Sequence, residues 1–129
     1  MARKSKTRQT LEEILQSTSE TLFPDKMGQE KISVDTKDCC NDTPLHILTH
    51  RGNDYGCQLI IEAGADVNAV GDLGYTPLHY AVMTDNVKMI GLLLKYGANP
   101  AIACEFGETP IDIAKRQSPE TLKALRKTD

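Results

Sequence analysis

Thr76-Pro77-Leu78-His79-Tyr80-Ala81 is the stretch of sequence that decides the fold. Its first four residues also occur as Thr43-Pro44-Leu45-His46, and a diverged copy follows as Thr109-Pro110-Ile111-Asp112. The three threonines are 33 residues apart each time (76 − 43 and 109 − 76). A fixed period of this size is typical of stacked repeats, in which each unit can bury its apolar face only against its neighbours. The period therefore predicts a solenoid rather than a domain built around an enzyme pocket.

Other landmarks keep the same spacing. Gly64-Ala65-Asp66 returns as Gly97-Ala98-Asn99, and Ile60-Ile61 returns as Leu93-Leu94. Together with the full Thr-Pro-Leu-His-x-Ala motif of the second copy, these landmarks make the chain resemble the ankyrin repeat family over about residues 34–125. The resemblance implies an all-α fold, an ankyrin-repeat solenoid of helix-turn-helix units with projecting hairpin-like loops.

The motif residues also predict where helices begin and end. A threonine can cap the free amides at a helix start, and proline fits the first helical position, so each Thr-Pro pair should open a helix. A second helix is expected in each unit, over residues 55–63, 87–96 and 120 to about 126, the last opened by Ser118-Pro119. Gly64 and Gly97 should stop the first two, and residues 66–75 and 99–108 should form the loops.

The two ends of the stack differ from its middle. Residues 1–9 form a basic tail that we expect to be disordered, and residues 10–33 are interpreted as an N-terminal helical cap or degenerate repeat because Thr10-Leu11-Glu12-Glu13 has the form of a capping box. Residues 34–129 should hold three repeats. The last is expected to be truncated and to act as a cap, since Arg126-Lys127 falls where the second repeat has Leu93-Leu94. Gly56 inside a helix predicts that the first repeat is the softest unless the N-terminal helices brace it.

Charge restricts the classes of partner. The net charge is −3, from 15 Lys and Arg against 18 Asp and Glu. Four of the basic residues lie in the tail, so residues 10–129 carry 11 basic and 18 acidic residues, a net of −7. An acidic solenoid argues against nucleic-acid binding, which requires basic surface. No targeting segment and no stretch long enough to span a membrane is found, so a cytoplasmic protein with reduced cysteines and no membrane partner is expected.

Catalytic and metal-binding patterns are weak. His46 and His50 lie four residues apart with Cys39 and Cys40 upstream, which leaves a metal-binding or enzymatic protein as a minor alternative. The resemblance implies instead that His46 forms a hydrogen bond tying loop to helix. Cys57 aligns with the apolar Ile90, so a buried thiol is favoured over a nucleophile. We therefore predict a protein that is not an enzyme, with no cofactor and no metal.

The resemblance also implies where a partner binds. Ankyrin proteins usually hold partners on the concave face. This face is formed by the tips of the projecting loops (the fingers) and by the exposed side of each first helix. The first repeat contributes Cys39 and Cys40 to this face. The candidate partner-binding residues placed there by the repeat register are Asp42, His50, Arg51, Asp72, Leu73, Tyr75, Met83, Thr84, Glu105, Phe106, Glu108, Arg116 and Gln117.

These residues give the concave face an apolar centre and an acidic rim, as in many protein interfaces. The predicted function is a non-enzymatic interaction module, monomeric when free, that inhibits or scaffolds a protein with a basic patch. The alternative is a bacterial immunity protein that neutralises a toxin or effector.

Overall fold

The structure, a computed structural model, describes residues 10–22, 31–117 and 119–126. The helices are α1 Leu11–Gln16, α2 Ser19–Leu22, α3 Pro44–Arg51, α4 Asp54–Glu62, α5 Pro77–Met83, α6 Val87–Lys95, α7 Pro110–Gln117 and α8 Pro119–Arg126. A single 3-10 turn occupies Asp72–Gly74, and no β-strand occurs in the described ranges. The predicted all-α solenoid is confirmed. Among the described residues, no helix has both the length and the apolar character of a membrane-spanning segment.

The helices pack in two rows. Helix α5 packs against both α3 and α7 in an inner row, while α6 packs against α4 and α8 in an outer row. Each inner helix also packs against the outer helix of its own unit. Leu45, Leu78, Ile90 and Leu93 are fully buried between the rows, so one continuous core runs through the stack. The side of the inner row that faces away from the outer row is the predicted concave face.

Polar caps set the helix starts. Thr43 and Thr76 each accept a hydrogen bond from the backbone N–H three residues on, with proline at the first helical position, as predicted. Asn53 and Asn86 cap the second helices by the same type of bond. The predicted start of α4 at residue 55 was wrong by one residue, because the Asn53 cap places Asp54 in the helix.

The helix ends predicted just before Gly64 and Gly97 are nearly right. Both glycines have positive φ angles, 111° and 96°. Helices α4 and α6 end at Glu62 and Lys95, one residue before the predicted ends. The following residue in each case leaves the helical conformation so that the chain can enter the left-handed glycine.

The three fingers have their tips at residues 38–42, 71–75 and 104–108, and each tip is closed by the same short hydrogen bond. The N–H groups of Asp38, Gly71 and Cys104 donate to the carbonyls of residues 42, 75 and 108, at 3.1, 2.8 and 2.9 Å. Neighbouring fingers are also joined, because the Glu105 N–H donates to the Leu73 carbonyl at 3.0 Å. The fingers are therefore hydrogen-bonded to each other rather than independent loops.

Gly74 and Gly107 offer a test of this coupling. Both have left-handed backbone, with φ of 80° and 77°. A Cβ on Gly74 would lie 2.8 Å from the backbone nitrogen of Glu105, whereas nothing lies within 4 Å of a Cβ on Gly107. We expect Gly107→Ala to lower the free energy of unfolding by about 1 kcal/mol from backbone strain alone, and Gly74→Ala to lower it by more. Urea unfolding of the two variants measures the difference. Equal losses of unfolding free energy would show that the second and third fingers are not closely packed at Gly74 and Glu105.

The N-terminal helices brace the first repeat. Helix α1 packs against α4, with Ile14 fully buried. A Cβ on Gly56 would lie 3.1 Å from Cγ2 of Ile14 and 2.8 Å from Nδ2 of Asn53, so the glycine permits this close approach. The division at residues 9 and 33 stays a prediction. The basic tail, Ser118 and Lys127 lie outside the described residues.

Candidate functional site

Two histidines join each unit to the next. The Thr43 N–H donates to Nδ1 of His46 at 3.1 Å, so in the neutral ring Nε2 carries the proton and donates to the Tyr75 carbonyl at 2.9 Å. His79 repeats the arrangement with the Thr76 N–H and the Glu108 carbonyl, at 3.0 and 2.9 Å. Each histidine therefore holds the finger of the following repeat.

Asp112 takes the place of histidine in the third unit. Its Oδ2 accepts from the Thr109 N–H at 3.1 Å, and its own N–H donates to the Thr109 hydroxyl at 3.2 Å. The capping box is kept, but a carboxylate has no proton to donate to a further finger. The change from histidine to aspartate removes the donor that links units and keeps the group that starts the helix.

The two histidines predict a pH dependence of stability. Burial is the main cause that lowers the pKa of both His46 and His79 below the ordinary value of 6.5. Because the folded pKa is depressed, their contribution is complete above about pH 6.5 and is lost as the pH falls through the folded value.

Urea unfolding between pH 7.5 and pH 5 should therefore show falling stability. The variant His79→Asn should be less stable at pH 7.5 and should lose less stability on acidification. An unchanged pH slope in this variant would contradict the assignment.

The residues of the minor catalytic and metal alternatives have other roles. Both ring nitrogens of His46 are occupied by protein groups, so the ring cannot ligate a metal without breaking the link between units. Burial raises the pKa of the Cys57 thiol to about 12, which disfavours a nucleophilic thiolate. No group of three or more His, Cys, Asp or Glu in the described residues could hold a metal ion.

Cys39 and Cys40 are exposed at the tip of the first finger, with their sulfur atoms 3.9 Å apart. A hydrogen bond with Cys39 is the main cause that raises the pKa of Cys40 to about 11. Cys40 therefore keeps its proton at neutral pH.

Three large apolar side chains of the predicted site are exposed on the concave face. Leu73 and Phe106 occupy equivalent finger tips, and 42% and 65% of their surfaces are exposed. Met83, on the last turn of α5, is also exposed. Neither Leu73 nor Phe106 belongs to the buried core or to the partly buried apolar residues packed against it. The bond from the Glu105 N–H to the Leu73 carbonyl fixes the two tips relative to each other.

Tyr80 is the residue that sequence reasoning missed. It is half-buried, and its ring packs edge-on against His46 and His50, with centroids 5.5 and 6.0 Å apart. Tyr75, a predicted site residue, is half-buried beside it at 5.8 Å. The position of Tyr80 is the variable one of the Thr-Pro-Leu-His-x-Ala motif and holds Ile47 and Ile113 in the other units. An aromatic residue at this otherwise aliphatic position was the available signal.

Several predicted contact residues are engaged in internal contacts. Arg51 donates to the Ser17 carbonyl at 3.2 Å and to the Thr21 hydroxyl at 2.8 Å, which ties α3 to the N-terminal helices. Arg116 forms an ion pair with Glu108, and Gln117 donates to the Val82 carbonyl at 2.8 Å. The Thr84 hydroxyl donates to the carbonyl of residue 80 at 2.9 Å. These contacts stabilise the stack itself. The role of these residues in partner binding stays a prediction.

Most carboxylates of the acidic rim form no ion pair with the described residues. Asp42 accepts hydrogen bonds at Oδ1 from the Asp72 N–H and from the Tyr80 hydroxyl, at 3.0 and 3.3 Å. No described cation lies within ion-pair distance of Asp42, Asp72 or Glu105. The predicted site holds four carboxylates (Asp42, Asp72, Glu105 and Glu108) against two guanidinium groups (Arg51 and Arg116), so it carries net negative charge beside its apolar tips.

Comparison with known proteins agrees with this architecture. The family model described as ankyrin repeats in three copies matches residues 5–104 and 59–129. The ankyrin repeat and LEM domain-containing protein 1 homolog of Caenorhabditis elegans is 45% identical over 69 residues, which cover 54% of this chain and 10% of that protein. The human BCL-6 corepressor-like protein 1 is 35% identical over 97 residues, 75% of this chain and 5% of that protein. The human B-cell lymphoma 3 protein is 34% identical over 89 residues, 65% of this chain and 20% of that protein.

The chain thus spans a fifth or less of the length of these three relatives. Ankyrin repeats are protein–protein interaction modules and are generally not enzymes. The matched residues include all three Thr-Pro helix starts and the fingers between them. By this match and by its stacked helix-turn-helix units, the chain belongs to the ankyrin repeat family.

Proposed function

We propose that this protein binds another protein through its concave face, with Leu73 and Phe106 as the apolar anchors. The supporting observation is the exposure of these two side chains on finger tips that are hydrogen-bonded to each other. An exposed apolar group on a fixed backbone loses little conformational entropy on binding, so more of its burial energy contributes to affinity. Ordered apolar tips beside a polar rim match the anatomy of a protein interface.

The charge of the rim points to a basic partner surface. Asp42, Asp72 and Glu105 have no cationic partner among the described residues. A basic patch opposite them would be attracted during approach and would compensate their charge in the complex. The protein is monomeric when free and forms a one-to-one complex. Inhibition, scaffolding and neutralisation of a toxin would all use this surface and differ in which part of the partner is covered.

A charge variant tests the polarity of the interface. Asp72→Asn combined with Glu105→Gln keeps the shape of the rim and removes two charges. Against a partner isolated with the wild-type chain, we expect about tenfold slower association at low salt, with the difference shrinking as salt screens the charges.

Glu12→Gln combined with Glu120→Gln is the matched control, since it removes two charges at exposed sites on α1 and α8. Equal association rates for the two double variants at low salt would refute a basic partner surface.

A further inference from the structure

A cleft lies at the N-terminal end of the concave face. Its volume is about 390 Å³, and it is lined by Thr21, Asp42, Ile47, His50, Arg51 and Tyr80. These residues come from α2, the first finger, α3 and α5. The N-terminal helices, the first repeat and the second repeat therefore each contribute to the cleft. It is separate from the exposed tips of the second and third fingers.

Its walls combine aromatic rings with a carboxylate. Tyr80 and His50 meet edge to face at an interplanar angle of 84°. The Tyr80 hydroxyl donates to Oδ1 of Asp42, which also accepts the Asp72 N–H. The Oδ2 atom of Asp42 accepts no hydrogen bond from the described residues. One carboxylate oxygen thus remains open beside an aromatic wall.

The local charge favours a cation. After burial, the carboxylates of Asp42 and Asp72 are the next causes that raise the pKa of Tyr80, so the ring lies in a negative field. Arg51 also lines the cleft and keeps its positive charge, but its guanidinium is hydrogen-bonded to Ser17 and Thr21 on the side toward α2 and forms no ion pair with Asp42. An apolar guest would remove water from the Asp42 carboxylate without replacing its hydrogen bonds, which is costly. An anion at the Tyr80 end of the cleft would be repelled by Asp42 and Asp72.

We infer that this cleft binds an arginine side chain of the protein partner. The inference rests on the proposed function. A guanidinium is planar, stacks on aromatic faces and donates hydrogen bonds to carboxylates. Its aliphatic stem packs on Ile47, its plane lies against Tyr80 or His50, and an N–H group donates to Oδ2 of Asp42. A flexible ammonium group satisfies the carboxylate but lacks the planar surface.

The test uses the full chain and a small probe, so it needs no identified partner. N-acetyl-L-arginine methylamide is titrated while the NMR signals of Ile47 and Tyr80 are followed, with the citrulline analogue as the neutral isostere and the lysine analogue as the non-planar cation. We expect saturable shifts at the cleft, with the arginine probe binding at least about fivefold more tightly than either analogue. Shifts of equal strength with citrulline, tighter binding of lysine, or no saturable shift at the cleft would each overturn the assignment.

Variants of the chain separate charge from shape. Asp42→Asn keeps an oxygen for the Asp72 N–H and the Tyr80 hydroxyl, and it should weaken arginine binding about fivefold. Tyr80→Leu removes the aromatic ring and replaces Asp42→Asn as the test variant if Asp42→Asn does not fold. Glu120→Gln makes the same type of change on α8 and should bind as the wild type does. Wild-type affinity of a folded Asp42→Asn variant would contradict the inference.

The outcome is distinguishable from failure of the proposed function. A partner that depends on Leu73 and Phe106 while the arginine probe fails to bind would remove only the arginine site. A partner whose affinity does not depend on Leu73 and Phe106 would refute the proposed interface, whether or not the arginine probe binds.

Discussion

Replacing Leu78 with alanine should lower the free energy of unfolding by about 2–5 kcal/mol. Leu78 has no exposed surface and lies on α5, the helix that packs against α3, α6 and α7. The cavity left by the truncation would therefore weaken contacts on both sides of the central unit. In a stack where each unit is stabilised only by its neighbours, damage at the centre uncouples the two ends.

Urea unfolding followed by circular dichroism measures the effect. Leu73→Ala is the matched control, because it makes the same chemical change at an exposed finger tip and should alter stability by no more than about 0.5 kcal/mol. A broadened transition for Leu78→Ala would indicate that the units unfold separately. Losses of similar size in the two variants would contradict the description of the core.

Combining Leu73→Ala with Phe106→Ala should weaken partner binding at least about 30-fold, which corresponds to about 2 kcal/mol or more. Both side chains are exposed in the free protein, so their burial by a partner would be lost while the stack keeps its core. Isothermal titration with an isolated partner measures the affinity, and urea unfolding checks that stability is unchanged within about 0.5 kcal/mol.

Val87→Ala is the control for apolar exposure in general, since 45% of Val87 is exposed on the outer helix α6. It should leave the affinity unchanged. A stable double variant that binds as tightly as the wild type would show that the finger tips are not anchors.

The repeat register explains why so much of the fold was predictable. Thr-Pro pairs encode helix starts locally, and their spacing alone places equivalent residues on equivalent surfaces. The same counting placed Leu73 and Phe106 on finger tips, and the structure exposes both. The caps at Asn53 and Asn86 repeat with the same period and were available to sequence reasoning, although they were not used.

Contacts between units were harder to foresee. The register places Arg51 and Gln117 on the concave face but cannot tell that their side chains reach Thr21 and Val82. The role of Gly56 depends on the close approach of Ile14 from another helix, which no local pattern encodes. Tyr80 was missed because its importance comes from three aromatic neighbours brought together by stacking rather than from its place in the motif.

Site-specific photo-cross-linking tests the central claim most directly. A photoreactive phenylalanine analogue is placed at position 106 on the finger tip or at position 87 on the outer helix, where the replaced side chains are both exposed. On illumination with an isolated partner, we predict a one-to-one cross-linked product from position 106 and none above background from position 87. Efficient cross-linking from position 87 with none from position 106 would contradict binding through the concave face.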